Sequence, residues 1–263
     1  MKGVLILNDI HIPFNRKDVL SIVEKHAKKI QAIIIGGDLI DCKSISVYPS
    51  LDDITIESEI ASAIEFISSI RQIVGAKVKI IIIEGNHEAR WKKYIMTMHD
   101  KKLYKFINPN ILEMLKSGMV LYSNGEEKVY KGIEDLIIVN DWWFNYKGII
   151  VCHPTNYYKP PCRNSNVAIE HFIKQGETFH TLVCAHNHHQ GMCHHFGIWS
   201  IESGCLCQEF DYTKGKTTAE SQDYGYVLIN FKGKKVNKNK SRIYILDSEE
   251  KNERIRATNK KDK

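Results

Sequence analysis

Ile30-Gln31-Ala32-Ile33-Ile34-Ile35-Gly36-Gly37-Asp38-Leu39-Ile40-Asp41 is the stretch on which the reading of this chain turns. Its first six residues have the length and apolar character of a buried strand, and two glycines then hand over to a pair of carboxylates. Four other short segments end in residues that bind metals: Asp9-Ile10-His11, Gly85-Asn86-His87-Glu88, Cys152-His153 and Ala185-His186-Asn187-His188. Apolar runs at 4–7, 78–83, 148–151 and 181–184 precede them. Strands laid side by side in one sheet would bring these side chains to a single rim. Ligands nearly 180 positions apart would then meet.

Helical patterns fill the gaps between the first three runs. Residues 17–29 place Val19, Leu20, Val23 and Ala27 on one face, and residues 57–74 do the same with Ile60, Ile64, Ile67 and Ile70. The opening therefore reads β-α-β-α-β, a parallel arrangement with right-handed crossovers, and ligands of such sheets bind beyond the carboxyl ends of the strands. From 89 to 146 the character changes. Helical stretches are expected at 89–98 and 101–116, then short strands at 119–122, 128–130 and 136–139. The stretch is rich in aromatic residues, and it is expected to form an insertion over the site. A helix at 166–174 and strands at 194–203, 224–231 and 242–246 complete the expected elements. Residues 1–247 are expected to form one domain and 248–263 a basic, disordered tail.

With 263 residues and 43% hydrophobic content, the chain is long enough to bury a sizeable core. No apolar stretch approaches the roughly 18–20 residues of a membrane span. The first strand starts so close to Met1 that no signal peptide is expected, and a cytoplasmic protein is. The net charge of +6 is unevenly spread. Residues 232–263 hold 12 Lys and Arg against 5 Asp and Glu, while the remainder is nearly balanced at 25 against 26. The basic end is read as a solubilising terminus, with attraction to nucleic acid as the alternative. Seven cysteines without an export signal read as reduced thiols. Cys205-Leu206-Cys207 has the look of half a zinc site, but no second cysteine pair matches it, so no structural zinc is expected.

Asp, His and Asn are oxygen and nitrogen ligands that suit Mn, Fe, Zn or Ni. Asp9, His11, Asp38, Asn86, His153, His186 and His188 are too many for one cation with an open position. They suit two cations sharing a carboxylate, an arrangement that grips the attacking and leaving oxygens of a phosphoryl centre. Taken singly, each segment is also a plausible turn, cap or buried histidine. Their ordered recurrence at strand ends is what argues for a site.

The order Asp-x-His, Gly-Asp-x-x-Asp, Gly-Asn-His-Glu, His, His-x-His resembles the calcineurin-like metallophosphoesterase superfamily, in the form found in small phage and bacterial members. The resemblance runs from Asp9 to His188. It implies an α/β fold, a metallophosphoesterase-type β-sandwich of two mixed sheets flanked by helices. It also implies two divalent metal ions, with manganese the first choice. Asp9, His11 and His188 would hold one metal, Asn86, His153 and His186 the other, and Asp38 would bridge them. His87 would act at the scissile phosphate with Asp41 orienting its imidazole, Asn86 would also face the substrate, and a hydroxide between the metals would attack phosphorus. The chain departs from the usual pattern at Ala185, where glycine is commoner, and at Ile12-Pro13-Phe14. Neither change removes a ligand.

Arg90, three residues past His87, is a candidate for binding phosphate oxygens, with an ordinary salt bridge as the competing reading. Trp142, Trp143 and Phe144 are read as buried under the insertion, with stacking on a nucleobase as the alternative. His194 and His195 are read as surface residues, and His26, His99, His171 and His180 as structural. The expected activity is hydrolysis of a phosphate ester, first of a nucleotide-like substrate. A DNA or RNA nuclease is the alternative, and a phosphoprotein phosphatase or a non-catalytic metal-binding protein follows. Oligomeric state is not legible.

Overall fold

In the computed structural model, the described residues are 2–48, 53–97, 107–123, 125–210 and 222–247. In chain order they form β1 (Gly3–Leu7), α1 (Val19–His26), β2 (Ile30–Ile35), α2 (Ile56–Val74), β3 (Lys79–Ile83), α3 (Ala89–Thr97), α4 (Glu113–Ser117), β4 (Gly118–Ser123), β5 (Glu126–Lys131) and β6 (Ile137–Val139). There follow β7 (Trp143–Tyr146), β8 (Ile149–Cys152), α5 (Arg163–Lys174), β9 (Thr181–Cys184), β10 (Gln190–His195), β11 (Ile198–Ser203), β12 (Tyr224–Ile229), β13 (Phe231–Lys232), β14 (Lys235–Val236) and β15 (Arg242–Leu246).

Two mixed sheets result. The first has the order β15-β12-β1-β2-β3-β6, with β1, β2, β3 and β6 parallel and β12 and β15 antiparallel additions at one edge. The second has the order β10-β11-β9-β8-β7, a parallel centre between two antiparallel edge strands. Successive side chains of a strand face opposite ways, so a strand that is apolar throughout must be covered on both faces. β2 shows this. Ala32 and Ile34 join Ile6, Ile81, Val151 and Val183 in the core between the sheets. Ile33 and Ile35 turn outward to meet Val23, Ile64 and Ile67 of α1 and α2. On the far side, Ile169 and Phe172 of α5 cover Ile150 and Leu182. The layers are helix, sheet, sheet, helix.

Local chemistry sets several boundaries. The Thr55 hydroxyl accepts from Ser58 N while the Ser58 hydroxyl accepts from Thr55 N, a reciprocal cap that starts α2. Gly75, at φ 68°, ends it. The strand expected at 194–203 is instead a hairpin. Phe196 and Gly197 take φ of 50° and 76°, and His195 pairs with Ile198 across a two-residue turn. A phenylalanine is a weak advertisement for a left-handed turn position, which is why the sequence concealed it.

The 89–146 stretch also differs from its expectation. β6 lies in the first sheet and β7 in the second, so its C-terminal part belongs to the sandwich itself. The helix expected at 101–116 lies partly outside the described residues, and what is described is the short α4. Asn108 and Asn110 turn their side chains onto the backbone N–H groups of Asn110 and Leu112, a bond that competes with helix formation. Trp142 and Trp143 pack on Phe172 of α5, with ring centroids 5.2 and 4.8 Å away, while Phe144 joins the core between the sheets. They are packing residues beside α5, not beneath an insertion. Phe172 packs against Trp142, Trp143 and Phe179, so Phe172→Ala is expected to cost about 3–5 kcal/mol, read as a lower urea midpoint. An unchanged midpoint would show that α5 does not hold the second sheet.

Among the described residues no helix is long and apolar enough to cross a membrane. Residues 248–263, read as a basic tail, lie outside the described residues.

Candidate metal centre

Each motif sits just past the carboxyl end of a strand that runs parallel to its neighbour: β1, β2 and β3 in the first sheet, β8 and β9 in the second. The run pattern alone lays these strands in one sheet, whereas the family resemblance implies two mixed sheets, and two are what the structure has. Three motifs come from one sheet and two from the other, and they meet at a common end of the sandwich. The turns that carry them are tight. Asp9, His11, Asp38, His186 and His188 all take left-handed backbone conformations, with φ between 49° and 84°. Non-glycine residues pay a steric penalty there, and such residues gather where side chains must be aimed at one point.

All seven candidate ligands converge into two overlapping groups. In one, His153 Nε2 lies 3.2 Å from Asp38 Oδ2 and 3.0 Å from Asn86 Oδ1, and His186 closes the group with its ring centroid 5.2 Å from that of His153. In the other, His188 Nε2 is 3.4 Å from Asp9 Oδ1 and 3.3 Å from His11 Nε2, which is itself 3.7 Å from Asp38 Oδ2. Asp38 belongs to both groups. Two nitrogens bound to one tetrahedral cation at ~2.05 Å stand roughly 3.3 Å apart. The spacing of the two Nε2 atoms is that spacing, and the carboxylate and amide oxygens around them are the donors a divalent cation takes. The residues fit a pair of such ions.

Supporting groups fix the rings. Asp41 Oδ1 lies 2.7 Å from His11 Nδ1 and 3.2 Å from His87 Nδ1, so one carboxylate orients two imidazoles. His153 Nδ1 donates to Gly36 O at 3.0 Å, which leaves Nε2 facing Asp38. Gly37 is required at φ 94°, because a Cβ there would run into the His153 ring. Glu88, quoted with its motif but given no role from sequence, accepts from the backbone N–H groups of Asp38, Gly85 and Ile40 at 2.8–3.1 Å. It is the clamp on the Asp38 loop. Glu202, wholly buried, binds Cys162 N and Ser165 N at the start of α5 and Asn187 Nδ2 between the two histidines of the last motif. No local pattern marks Glu202, since all its partners are distant in sequence.

Burial works against charge on every group here, so a carboxylate held low or an imidazole held high reports its charged neighbours. Burial raises Asp38, yet His153, His87 and His11 hold it well below the usual carboxylate range. Burial lowers His153, yet Asp38 and Asp9 bring it up to about 9. His186 is pushed down to about 4 by burial and by His153. Asp9, Asp38 and Asp41 are held below the usual carboxylate range, while burial and the neighbouring Asp38 charge push Glu88 up to about 7.

His87 stands at the edge of this cluster. Its Nδ1 is 2.7 Å from the Asp41 carbonyl oxygen, and Arg90 Nη2 donates to its Nε2 at 2.9 Å while Arg90 Nη1 donates to Asp41 O at 3.0 Å. The structure therefore places Arg90 against His87. Of the other histidines, His26 bonds Tyr226 in the core, His195 pairs with Glu170 and His194 with Lys238. His171 packs on Trp142, His180 bonds Thr181, and His99 lies outside the described residues.

Two facing mixed sheets form an α/β sandwich, and the Asp, His and Asn cluster at their shared end could hold metal ions. The profile of the calcineurin-like phosphoesterases matches residues 3–197, and the chain belongs to that family. The DNA polymerase II small subunit of Archaeoglobus fulgidus is 38% identical over 63 residues, a stretch that spans 24% of this chain and 12% of that protein. Among solved structures, protein PH1004 of Pyrococcus horikoshii OT3 is 14% identical, with 98% of this chain and 94% of that one covered and a TM-score of 0.48. Vps29 of Entamoeba histolytica complexed with zinc is 11% identical, with 93% and 98% covered and a TM-score of 0.42.

Proposed function

We propose that the chain hydrolyses phosphate esters, as a phosphodiesterase or phosphatase on a nucleotide-like substrate, with two divalent cations held by Asp9, His11, Asp38, Asn86, His153, His186 and His188. The observation that carries this reading is the convergence of all seven side chains on one point, with Asp38 common to both halves. Two cations bound there would neutralise phosphate charge and make a water nucleophilic near neutral pH.

The chain's own residues do the rest. Asp38 and Asp41 favour a proton on His87, raising its pKa against the opposing pull of burial. With Nδ1 turned toward Asp41, the atom that faces substrate is Nε2, and a proton held there can pass to a leaving oxygen. Arg90 occupies that nitrogen now. A phosphate oxygen would compete for the same guanidinium, and with Arg90 drawn onto the phosphate the freed Nε2 could take up a proton from solvent and pass it to the leaving oxygen.

Metal-free chain is expected to leave bis-p-nitrophenyl phosphate untouched and to hydrolyse it once Mn²⁺ is returned. No turnover with Mn²⁺, Zn²⁺, Fe²⁺ or Ni²⁺ on either this diester or p-nitrophenyl phosphate would defeat the hydrolase reading. Arg90→Ala is expected to lower kcat/KM by roughly 10²–10³, the usual effect of losing one donor to a developing charge, with metal content unaltered. An unaltered kcat/KM would remove Arg90 from substrate binding. The stretch shared with a DNA polymerase subunit favours nuclease action as the second reading. Labelled single- and double-stranded DNA, set beside cyclic nucleotides, separates the two.

A further inference from the structure

The cysteines at 205 and 207 read from sequence as half of a zinc site without its other half. In the fold, the missing half is made of histidines. Cys207 Sγ, His11 and His188 present ligand atoms that all lie within 4.8 Å of one another. Cys207 is fully buried, as is Cys205.

The backbone explains why. Residues 205–208 run antiparallel to the loop that follows β1: Leu206 N donates to Asp9 O at 3.0 Å, Arg16 N to Leu206 O at 2.9 Å and Gln208 N to Phe14 O at 2.7 Å. On its other side Cys205 N donates to Asp223 O at 2.8 Å. An extended segment points alternate side chains to opposite faces. Leu206 enters the core beneath α1 and α2, so Cys205 and Cys207 turn to the other face, that of His188. Gln222 lies alongside, with its Nε2 3.3 Å from Cys207 Sγ, 3.7 Å from Cys205 Sγ and 3.3 Å from His188 Nδ1. An amide donor aimed at sulfur is the kind of outer contact that supports a metal-bound thiolate.

We propose that Cys207 is a thiolate ligand of the cation held by Asp9, His11 and His188, which makes this half of the centre a site for a thiophilic divalent cation such as zinc. The inference rests on the dinuclear reading above. Asp9, two imidazoles and one sulfur, with the shared Asp38 as a fifth donor, form a set whose soft sulfur favours zinc, whereas the half made of Asp38, Asn86, His153 and His186 offers only oxygen and nitrogen and suits manganese. The centre is then mixed, zinc on one side and manganese on the other. Cys205 contacts His188 on the same face but belongs to no group of converging ligand atoms, so it is assigned as a neighbour and not a donor.

Cobalt(II) reports sulfur ligation directly. Full-length chain, reduced and freed of metal, is titrated with Co²⁺ and followed by absorption. The wild type is expected to show a sulfur-to-cobalt charge-transfer band in the near ultraviolet beside the visible ligand-field bands. Cys207→Ser should lose the charge-transfer band and keep ligand-field absorption, while Cys205→Ser should keep both. X-ray absorption of the zinc-loaded wild type needs no variant and should show a sulfur shell at about 2.3 Å. Zinc affinity of Cys207→Ser should fall by at least ~10–100-fold, the loss seen when only a supporting residue is removed, with manganese uptake retained. Ligand-field bands without charge transfer, or a zinc spectrum without sulfur, would overturn the Cys207 assignment and leave the dinuclear reading standing. Charge transfer that persists in Cys207→Ser would overturn it equally. No cobalt uptake at all would sink both.

Discussion

Asp38→Asn is expected to lower hydrolysis of bis-p-nitrophenyl phosphate by at least ~10³-fold and to reduce bound metal from two ions to one or none. Removing one donor that faces a developing charge costs about 10²–10³ in kcat. Asp38 is asked to do more than that, since it stands within 3.2 Å of His153 Nε2 in one half of the centre and 3.7 Å of His11 Nε2 in the other. The substitution is also a clean one. Asp38 Oδ1 accepts from His87 N at 2.9 Å, a bond an asparagine oxygen can keep. The atom that changes is then the one facing the histidines, where an NH₂ group presents hydrogens in place of a lone pair. The fold should survive and the centre should not. Metal analysis and turnover on the same preparation check this together, and wild-type values of both in the variant would end the dinuclear proposal.

Much of this centre was visible in the sequence because its ligands are local to strand ends. An apolar run followed within a few residues by a ligand is a pattern confined to ten or so residues, and all seven candidates emerged that way, Asp38 and Asn86 with glycines in the turn. The helix α2 was equally legible, with an apolar face of regular spacing. What stayed hidden was of longer range. Periodicity says that a run is a buried strand but not which sheet it joins, so β8 and β9 were laid beside β1–β3 when they belong to a second sheet facing it. The same limit concealed β6 and β7 within a supposed insertion. Glu202 carries no local signature, and the Cys205-Leu206-Cys207 spacing suggests half a site without showing its partners. Glu202 joins α5 to Asn187, and Cys207 meets His11 from almost 200 residues away. Their roles exist only once the two sheets have closed.

Glu88 should prove the most sensitive residue of the centre that touches no candidate cation. Its two carboxylate oxygens hold three backbone N–H groups: Oε2 takes Asp38 N at 3.1 Å and Gly85 N at 2.9 Å, and Oε1 takes Ile40 N at 2.8 Å. The residue is 1% exposed, so no water is at hand to replace it. Each buried N–H left without an acceptor costs about 1–3 kcal/mol. Glu88→Ala orphans all three and opens a cavity, for an expected loss of at least about 3 kcal/mol at 1–3 kcal/mol per orphaned donor. Glu88→Gln is the sharper test. Its shape is conserved, but one oxygen becomes an NH₂ that must face a backbone donor, so at least one N–H is lost whichever way the amide turns. The Asp38 turn, at φ 49°, depends on those bonds to hold a conformation that an aspartate disfavours when free. Glu88→Gln is therefore expected to lower stability by about 1–3 kcal/mol and metal affinity by ~10–100-fold, the range for a residue that orients a ligand. Urea unfolding of the metal-free chain isolates the first effect, and competition against a chelating dye isolates the second. If metal affinity were unchanged while stability fell, Glu88 would be a fold residue and the aim of Asp38 would be set by some other contact.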